Sequence, residues 1–340
     1  MKKAIITGIT GQDGGYLAKL LLSKGYKVYG AQRRNTGLKH WRLDELGITD
    51  QIEFLDFDLG EPYNIEKTID KVQPDEFYNL AAQSFVGLSF EQPQVTTITN
   101  SLGVLNILEV IRNKYPKIKF YQASTSEMFG KVQETPQSET TRFYPRSPYG
   151  VAKCYSHYMT VNYRESYGLY ACSGILFNHE SPMRGEEFVT RKITKGLVEY
   201  TKNGKVLELG NIESFRDWGH AEDYVEAMWL MLQQDEPEDY VIATGKTYTV
   251  RDFVNLAFNE VGYDLEWEGA GLDEVAKDAK TGKILVSIDP RHFRPAEVEL
   301  LLGDPTKAER DLGWTAKTPL RDLVSEMVQY DLAYDSYGGK

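Results

Sequence analysis

The chain has 340 residues, of which 26% are charged, and a formal net charge of −11 at pH 7. This length suits two domains or one large α/β domain, and the acidic balance argues against sequence-independent nucleic-acid binding. No apolar run reaches membrane-spanning length and Met1-Lys2-Lys3 leads straight into an apolar strand, so no membrane partner is predicted and a cytoplasmic location is expected. Cys154 and Cys172 are predicted to be buried thiols, and no metal site is predicted.

A strand, a glycine turn, a helix and a second strand follow one another at the N-terminus. The first strand covers residues 3–7, and the turn carries Gly8, Gly11 and Gly14. A leucine-rich helix comes next, and residues 28–31 form the second strand. Such a turn lets a pyrophosphate approach backbone N–H groups at the helix start. Although the spacing is GxxGxxG rather than GxGxxG, the flanking strand and helix favour a dinucleotide site over an ordinary turn.

The end of the second strand distinguishes between the two nicotinamide cofactors. NAD sites usually place a carboxylate there to accept the ribose 2′-hydroxyl. This chain has Arg33, Arg34 and Asn35 instead. Two guanidinium groups can bind a 2′-phosphate through charge-assisted hydrogen bonds. NADP is therefore predicted over NAD, and the alternative is a solvated pair of charges.

Short apolar strands alternate with helical patterns through the rest of the first half. The predicted strands lie at residues 52–55, 77–80, 119–123 and 171–176, and the helices at 62–72, around 102–108 and at 149–167. This rhythm predicts an α/β fold with a Rossmann-type, doubly wound parallel sheet. Ligands bind at the carboxyl ends of such strands, and the strand at 119–123 leads to Thr125 and Glu127 there.

Tyr149 and Lys153 lie four positions apart, which places both on one face of a helix. A nearby ammonium favours the phenolate, so Lys153 is predicted to lower the pKa of Tyr149 towards that of a general base. With a nicotinamide cofactor, such a base oxidises an alcohol. Glu127 adds a second acid/base, which indicates dehydration. The alternatives are a helix-end carboxylate for Glu127 and a capping hydroxyl for Thr125.

The second half has a different texture. Helices are predicted at residues 189–202, 221–232, 250–261, 306–312 and 320–332, and strands at 206–209 and 240–243. Residues 264–282 are acidic and weakly periodic, so they are predicted to form a surface excursion. We therefore expect a nucleotide-binding domain at 1–178 and a smaller mixed α/β substrate domain at 179–340. This division allows segments from the second half to return to the sheet of the first domain.

Several long motifs recur in order along the chain. They are Gly8-Ile-Thr-Gly-Gln-Asp-Gly14, Arg33-Arg34, Asn79-Leu-Ala-Ala-Gln-Ser84, Gln122-Ala-Ser-Thr-Ser-Glu-Met-Phe-Gly130, Phe143-Tyr-Pro-Arg-Ser-Pro-Tyr-Gly-Val-Ala-Lys153, Ile175-Leu-Phe-Asn-His-Glu-Ser-Pro182 and Arg216-Asp-Trp-Gly-His220. On these residues the sequence resembles the GDP-mannose 4,6-dehydratases of the extended short-chain dehydrogenase/reductase family over nearly its full length.

The resemblance implies a redox-neutral reaction on GDP-mannose in deoxysugar biosynthesis. Bound NADP takes hydride from C4 as Tyr149 removes the C4 hydroxyl proton, with Thr125 hydrogen-bonded nearby. Glu127 abstracts the C5 proton and assists loss of water from C6, which then receives the hydride. The product would be GDP-4-dehydro-6-deoxy-D-mannose. The catalytic set is thus Thr125, Glu127, Tyr149 and Lys153.

The resemblance also implies two sets of binding residues. The cofactor set is Gly8, Thr10, Gly11, Gln12, Asp13, Gly14, Arg33, Arg34, Asn35, Asp58, Leu59, Leu80, Ala81, Ala82, Gln83, Ser84, Tyr149, Lys153, His179 and Arg184. The substrate set is Ser84, Glu127, Asn178, Lys192, Arg216, Arg294 and Glu297.

Three questions stay open after the resemblance. The loop at residues 37–41 is expected to pack between subunits, which makes a homotetramer the predicted assembly and a dimer the alternative. Gln94-Val95 replaces a Glu-Tyr pair of many relatives, which removes a tyrosine that helps to hold cofactor in some members. The alternative functions are dehydration of another GDP-sugar such as a GDP-manno-heptose, a 4-epimerase or 4-reductase that has no need of Glu127, and an NADP-binding sensor.

Overall fold

The structure, a computed structural model, describes residues 1–34, 40–293 and 296–336. Its strands are β1 (Lys3–Thr7), β2 (Lys27–Gln32), β3 (Glu53–Asp56), β4 (Glu76–Asn79), β5 (Lys119–Thr125), β6 (Ala171–Leu176), β7 (Asn178–Glu180), β8 (Leu207–Leu209), β9 (Phe215–Arg216), β10 (Trp218–His220), β11 (Tyr240–Ile242), β12 (Tyr248–Thr249), β13 (Leu265–Glu268), β14 (Val275–Asp278) and β15 (Ile284–Ile288). Its α-helices are α1 (Gln12–Ser23), α2 (Trp41–Glu45), α3 (Pro62–Val72), α4 (Val86–Glu91), α5 (Pro93–Thr97), α6 (Gly103–Lys114), α7 (Pro148–Tyr167), α8 (Val189–Asn203), α9 (Ala221–Met231), α10 (Val250–Glu260), α11 (Thr306–Leu312) and α12 (Leu320–Ser336).

Seven parallel strands form the central sheet, in the order β11-β6-β5-β4-β1-β2-β3. In this register Ile5 of β1 lies opposite Tyr29 of β2 on one side and Phe77 of β4 on the other. The strand order therefore reverses between β1 and β4. In open α/β sheets ligands bind in the crevice at that reversal, outside the carboxyl ends of the strands. The predicted Rossmann-type fold is confirmed.

Helices cover both faces of this sheet, and each face has its own apolar core. On one face Leu17 and Leu21 of α1 pack with Met228 of α9. On the other, Ile69 of α3 packs with Ile107 of α6. Because both faces are buried, the strands between them read as continuous apolar runs. This burial is what made the strands recognisable in the sequence.

A second, four-stranded sheet in the order β13-β14-β15-β8 packs against α8, α10 and α12. The predicted surface excursion at residues 264–282 is wrong in part, because it contains β13 and β14. Along β14, half-buried and fully buried residues alternate, and Ala276 and Asp278 are buried. A strand with only alternate residues buried carries a weak apolar signal, which the acidic composition of this segment obscured.

Two other features bear on the predictions. The strand β11 joins β6 in the large sheet, so a segment of the second half does return to it. The division at residue 178 stays a prediction. Cys172 is buried, whereas Cys154 is only half-buried, so the prediction of two buried thiols is half correct.

Candidate active site

A cleft of about 1420 Å³ opens at the carboxyl ends of the central strands. The four predicted catalytic residues all line it. So do all predicted cofactor residues except Asn35, which lies outside the described residues. The lining cofactor residues are Gly8, Thr10, Gly11, Gln12, Asp13, Gly14, Arg33, Arg34, Asp58, Leu59, Leu80, Ala81, Ala82, Gln83, Ser84, Tyr149, Lys153, His179 and Arg184. The fold thus brings together residues from widely separated stretches of sequence.

The glycine turn between β1 and α1 forms the floor of the cleft. Gly8 has φ +69°, a left-handed conformation that side chains disfavour. A Cβ on Gly14 would lie 2.4 Å from the carbonyl oxygen of Gly8, so α1 can start this close to β1 only with glycine there. Gly11 caps α1 without a side-chain hydrogen bond. The first N–H groups of α1 therefore point to the cleft as donors for an anion.

The loop at residues 80–84 forms the wall beside this turn, and side chains hold its backbone. The hydroxyl of Thr7 accepts hydrogen bonds from the backbone N–H groups of Leu80 and Ala81, each at 3.0 Å. The Asn100 amide accepts from the N–H of Gln83 at 2.8 Å and donates to its carbonyl at 2.9 Å. Asn100 belongs to a π-helical turn (Ile98–Leu102) between α5 and α6, and such turns are frequent near functional sites.

The Tyr–Lys pair lies in the first two turns of α7. Ser147 caps this helix by accepting from the N–H of Gly150 at 3.0 Å, and Pro148 occupies its first position. Tyr149 and Lys153 are both buried. The ammonium of Lys153 donates to the carbonyl oxygen of Ala123 at 2.8 Å, and burial lowers the pKa of Lys153 to about 8. The lysine is therefore tied to the end of β5.

The pKa of Tyr149 differs from the sequence prediction. Burial raises it, and the negative charge of Glu127 acts in the same direction. A hydrogen bond with Thr125 and the positive charge of Arg184 oppose this increase. The Lys153 nitrogen lies 5.9 Å from the centre of the Tyr149 ring. The expected lowering by Lys153 is therefore wrong for the protein on its own, because burial of the phenol has the larger effect.

Thr125 and Glu127 stand at the end of β5, opposite α7. The N–H of Glu127 donates to Thr125 Oγ1 at 3.2 Å, which makes Thr125 the cap of a short 3₁₀ turn (Ser126–Met128). Glu127 is half-buried at the cleft surface. The capping role that the sequence left as an alternative for Thr125 is thus present together with its contact to Tyr149. One hydroxyl serves both neighbours.

Half-buried Asp13 and buried His179 form an ionic pair next to the glycine turn. His179 Nδ1 lies 2.7 Å from the carbonyl oxygen of Phe177, so Nδ1 must carry a proton. His179 Nε2 lies 2.8 Å from an Asp13 oxygen, so one proton lies between these two groups. Burial acts against both charges, yet their mutual attraction prevails: the pKa of Asp13 falls to about 2 and that of His179 rises. His179 also stacks on Tyr224, with ring centres 4.7 Å apart.

The structure assembles the predicted substrate residues only in part. Ser84, Glu127 and Asn178 line the cleft, and Asn178 Oδ1 is buried without a hydrogen-bond partner among the described residues. Lys192 lines a different cavity, of about 740 Å³. Arg216 pairs with Glu297 at 3.1 Å, and neither lines the cleft. Arg294 lies outside the described residues.

Arg42 is a cleft residue that the sequence analysis missed. It donates from Nε to the carbonyl oxygen of Met183 at 2.7 Å and from Nη1 to that of Thr10 at 3.0 Å. No local pattern around residue 42 indicated this, because both contacts depend on the tertiary fold. Asn100 was missed for the same reason.

Two further features concern ions and membranes. In the described part of the chain, Glu208, Asp289 and His292 group their possible ligand atoms within 4.8 Å. Arg291 pairs with both carboxylates, so this group has its own counter-ion. None of the helices within the described ranges combines the length and apolarity that crossing a bilayer requires.

Known proteins similar to this chain have related activities. A family model described as GDP-mannose 4,6 dehydratase matches residues 5–327. The GDP-mannose 4,6-dehydratase of Yersinia enterocolitica is 53% identical over 98% of this chain and 94% of that relative. UDP-glucose 4-epimerase of Thermotoga maritima, solved with UDP-glucose, has a TM-score of 0.82 and 26% identity over 96% of this chain and 98% of that one. UDP-glucose 4-epimerase of Thermus thermophilus, in complex with NAD, has a TM-score of 0.79 and 25% identity over 99% and 100%. Because the family model spans most of its length, the chain belongs to the GDP-mannose 4,6-dehydratase family.

Proposed function

We propose that this chain removes water from GDP-mannose to give GDP-4-dehydro-6-deoxy-mannose, a step of deoxysugar biosynthesis. The observation that carries the proposal is one cleft that unites Glu127, the Tyr149–Lys153 pair and a dinucleotide-type glycine turn. A 4-epimerase or 4-reductase has no need of the carboxylate. The family of the chain supports GDP-mannose as the substrate.

A nicotinamide dinucleotide is the redox cofactor of this reaction. The turn from Gly8 to Gly14, the loop at residues 80–84, Lys153, His179 and Arg184 would hold it. The fit rests on the tight glycine turn and on two buried oxygens without partners in the described part of the chain, Gln83 Oε1 and Asn178 Oδ1, both on cleft-lining residues. When bound, the nicotinamide would supply a reversible hydride acceptor, which would allow hydride to pass from C4 to C6 of the mannosyl ring without an external reductant.

NADP is the form of this cofactor that the charges favour. Arg33 and Arg34 follow β2 directly, line the cleft and are exposed to it. Guanidinium groups bind a phosphate through paired, charge-assisted hydrogen bonds. A 2′-phosphate at the end of β2 would meet both.

Tyr149 is the base for the C4 hydroxyl. It takes the hydroxyl proton, and the hydrogen bond from Thr125 together with the charge of Arg184 stabilises the phenolate that results. Lys153 is fixed by Ala123 at the end of the same strand that carries Thr125. Its buried charge sits in a region of low effective dielectric, where it acts over a longer range than in water.

Glu127 performs the proton transfers at the neighbouring carbons. The C4 ketone acidifies the C5 hydrogen, and the carboxylate removes it. The same carboxyl group then protonates the departing C6 hydroxyl, so that the bond to oxygen breaks with loss of water. A half-buried carboxylate at the cleft surface can reach a bound substrate.

The test is product analysis after incubation of purified protein with GDP-mannose, with and without added NADP+. We expect loss of one water, with a C4 ketone and a C6 methyl group in the NMR spectrum. Glu127→Gln should reduce formation of the deoxy product by roughly 10²- to 10⁴-fold. Glu91→Gln, an exposed residue on α4, is the matched control and should have no effect. Full turnover by Glu127→Gln would refute the dehydration mechanism, and a strong preference for a GDP-heptose would refute the substrate.

We also propose that the chain forms a homo-oligomer, with a tetramer as the expected state and a dimer as the alternative. The support is a set of exposed apolar side chains on two helical stretches that pack together. On residues 93–114, Leu102 is 46% exposed, and on α7, Val151 is 57% and Tyr158 58% exposed. Apolar surface of this kind marks interfaces. Most of the loop at residues 37–41, the other expected interface, lies outside the described residues. Sedimentation of wild type and Tyr158→Glu tests this, since only a weaker assembly of the variant agrees with the proposal.

A further inference from the structure

Arg42 connects two segments that line the cleft from different parts of the chain. Thr10 belongs to the glycine turn, and Met183 belongs to the loop after β7 that also carries Arg184. We propose that Arg42 is a positioning residue that ties these two segments together and thereby slows release of the nicotinamide dinucleotide. This inference rests on the proposed function, because it takes the cleft to be the cofactor site.

Contacts of the neighbouring residues hold the backbone at Arg42 in place. His40, two residues earlier, lies with Nε2 3.1 Å from Gln32 Oε1 at the end of β2, and its ring stacks on Phe54 of β3 with centres 4.2 Å apart. The guanidinium of Arg42 lies over the Trp41 ring, 4.4 Å from its centre. The start of α2 is thus anchored to the sheet, so the side chain approaches both carbonyl oxygens from a fixed position.

The two bonds require the shape of arginine. A guanidinium presents five donors in a planar fork, so Nε and Nη1 can serve two carbonyl oxygens at once. A lysine carries a single nitrogen on a flexible stem. It keeps the charge, but all its N–H donors lie on one nitrogen atom, so it cannot reproduce the two separate bonds of the guanidinium. Comparison of Arg42→Lys with Arg42→Gln therefore separates the effect of the two hydrogen bonds from that of the charge.

The charges around Arg42 indicate what the tied segments enclose. Burial lowers the pKa of Arg42, and the neighbouring cations Arg184 and Arg191 lower it further. The carboxylates of Glu187 and Asp13 partly offset these effects. Arg184 and Arg191 have carboxylate partners of their own, Glu180 at 3.0 Å and Asp331 at 2.7 Å, whereas Arg42 donates to two backbone carbonyl oxygens. The positive charge of Arg42 therefore favours an anion at this end of the cleft, such as a dinucleotide diphosphate bound at the start of α1.

The reaction gives a reason for slow release. Because the proposed dehydration ends with the cofactor in its starting redox state, the dinucleotide has no need to leave between turnovers. Thr10 and Met183 lie on segments that both line the diphosphate end of the cleft. A dinucleotide held between them leaves only when one segment moves. The Arg42 bonds oppose that movement.

The test is the release rate of bound NADPH, followed by its fluorescence after mixing with excess NADP+. Arg42→Gln should release NADPH roughly tenfold faster than wild type, and Arg42→Lys should be intermediate, since each hydrogen bond to a charged donor contributes appreciably. The loss of kcat at saturating NADP+ should be smaller than the gain in release rate. Arg310→Gln, whose side chain is exposed and pairs with Asp311, is the matched control and should release NADPH at the wild-type rate.

The outcomes separate the possibilities. Faster release from both Arg42 variants, with Arg42→Gln the fastest, supports the inference. An unchanged release rate in Arg42→Lys and Arg42→Gln overturns it, whatever happens to the melting temperature. If Arg42→Gln does not fold, Arg42→Lys alone decides. If wild type itself binds no nicotinamide dinucleotide, the proposed function fails first, and that result is distinct from a failure of the Arg42 link.

Discussion

The two halves of the molecule hold their polar groups in different ways. In the first half, Lys153 is bonded to the backbone carbonyl of Ala123, and Thr7 and Asn100 bind the backbone of the loop at residues 80–84. In the second half charges are also paired with other side chains, as in Arg216, which donates to the carbonyl oxygen of Phe215 and pairs with Glu297. A side chain that is bonded to the backbone keeps its position when a ligand binds. A group held by a counter-ion has to exchange that partner when a charged ligand arrives.

The same contrast appears deeper in the second half. Arg191 and Asp331 form a buried pair at 2.7 Å, which ties α8 to the C-terminal helix. The adjacent residue, Lys192, lines the smaller cavity. An ion pair of this kind has no net charge, so it fixes the position of a helix without adding charge to the cleft. We therefore expect substitutions in the first half to change turnover or cofactor binding, and substitutions in the second half to change the KM for GDP-mannose.

The largest effect is expected at Tyr149. Tyr149→Phe removes the base for the C4 hydroxyl, and kcat should fall by roughly 10²- to 10⁴-fold. The measurement is steady-state product formation, with NADPH binding followed separately to show that the cleft is intact. Tyr63→Phe, a tyrosine that is 75% exposed on α3, is the control and should retain kcat. A loss of less than threefold in Tyr149→Phe would contradict the assignment.

The cofactor residues Arg33 and Arg34 come next. Replacing both with Gln should weaken NADP+ binding by roughly 10- to 100-fold, because both arginines are exposed and screened by solvent, so that their charged hydrogen bonds together contribute about 1.5–3 kcal/mol. Affinity for NAD+, which lacks the 2′-phosphate, should change by far less. Titration of both dinucleotides by calorimetry checks this. Equal losses for the two cofactors would mean that these arginines do not read the 2′-phosphate.

Much of the first half could be predicted because its signals are local. The glycine turn, the Tyr149–Lys153 spacing and the apolar strands each lie within a short stretch of sequence. Arg42 and Asn100 could not be found this way, because their partners Met183 and Gln83 are chosen by the tertiary fold. The pKa of Tyr149 was mispredicted for a related reason. The helix face was right, but the burial that raises the pKa depends on the whole cleft.

In the second half, the effect of Arg216→Gln should be moderate. If GDP-mannose displaces Glu297 from Arg216, the variant should raise the KM for GDP-mannose by roughly tenfold and leave NADP+ affinity unchanged. Its kcat should fall less than its kcat/KM. Steady-state kinetics with GDP-mannose and titration with NADP+, both on wild type and variant, provide these values. An unchanged KM would show that the Arg216–Glu297 pair is structural and would contradict the expectation that substitutions in the second half change the KM for GDP-mannose.

The smallest effect concerns His179, where the halves meet. The folded pKa of His179 lies above its ordinary value of 6.5, so the ionic pair stabilises the protein below pH 6.5 and its contribution disappears as pH rises through the raised pKa. At the acid end the pKa of Asp13, about 2, lies below its ordinary 3.8, so the contribution is lost as pH falls through that range. The pair is therefore strongest between pH 3.8 and 6.5.

Melting temperatures of wild type and His179→Gln between pH 5 and 9 should differ by a few degrees more at the acid end. His157 is the matched control, because burial lowers its pKa. The stability difference between wild type and His157→Gln should therefore change with pH in the opposite direction. A difference for His179→Gln that does not vary with pH would contradict the ionic pair.

The most direct test of the proposed hydride transfer from C4 to C6 uses GDP-mannose labelled with deuterium at C4. The product is isolated after incubation with the purified protein and analysed by NMR and mass spectrometry. The account predicts that the deuterium is retained and appears in the C6 methyl group of the 4-dehydro-6-deoxy sugar. A product that carries no deuterium at C6, or a sugar that is oxidised at C4 and keeps its C6 hydroxyl, would contradict it.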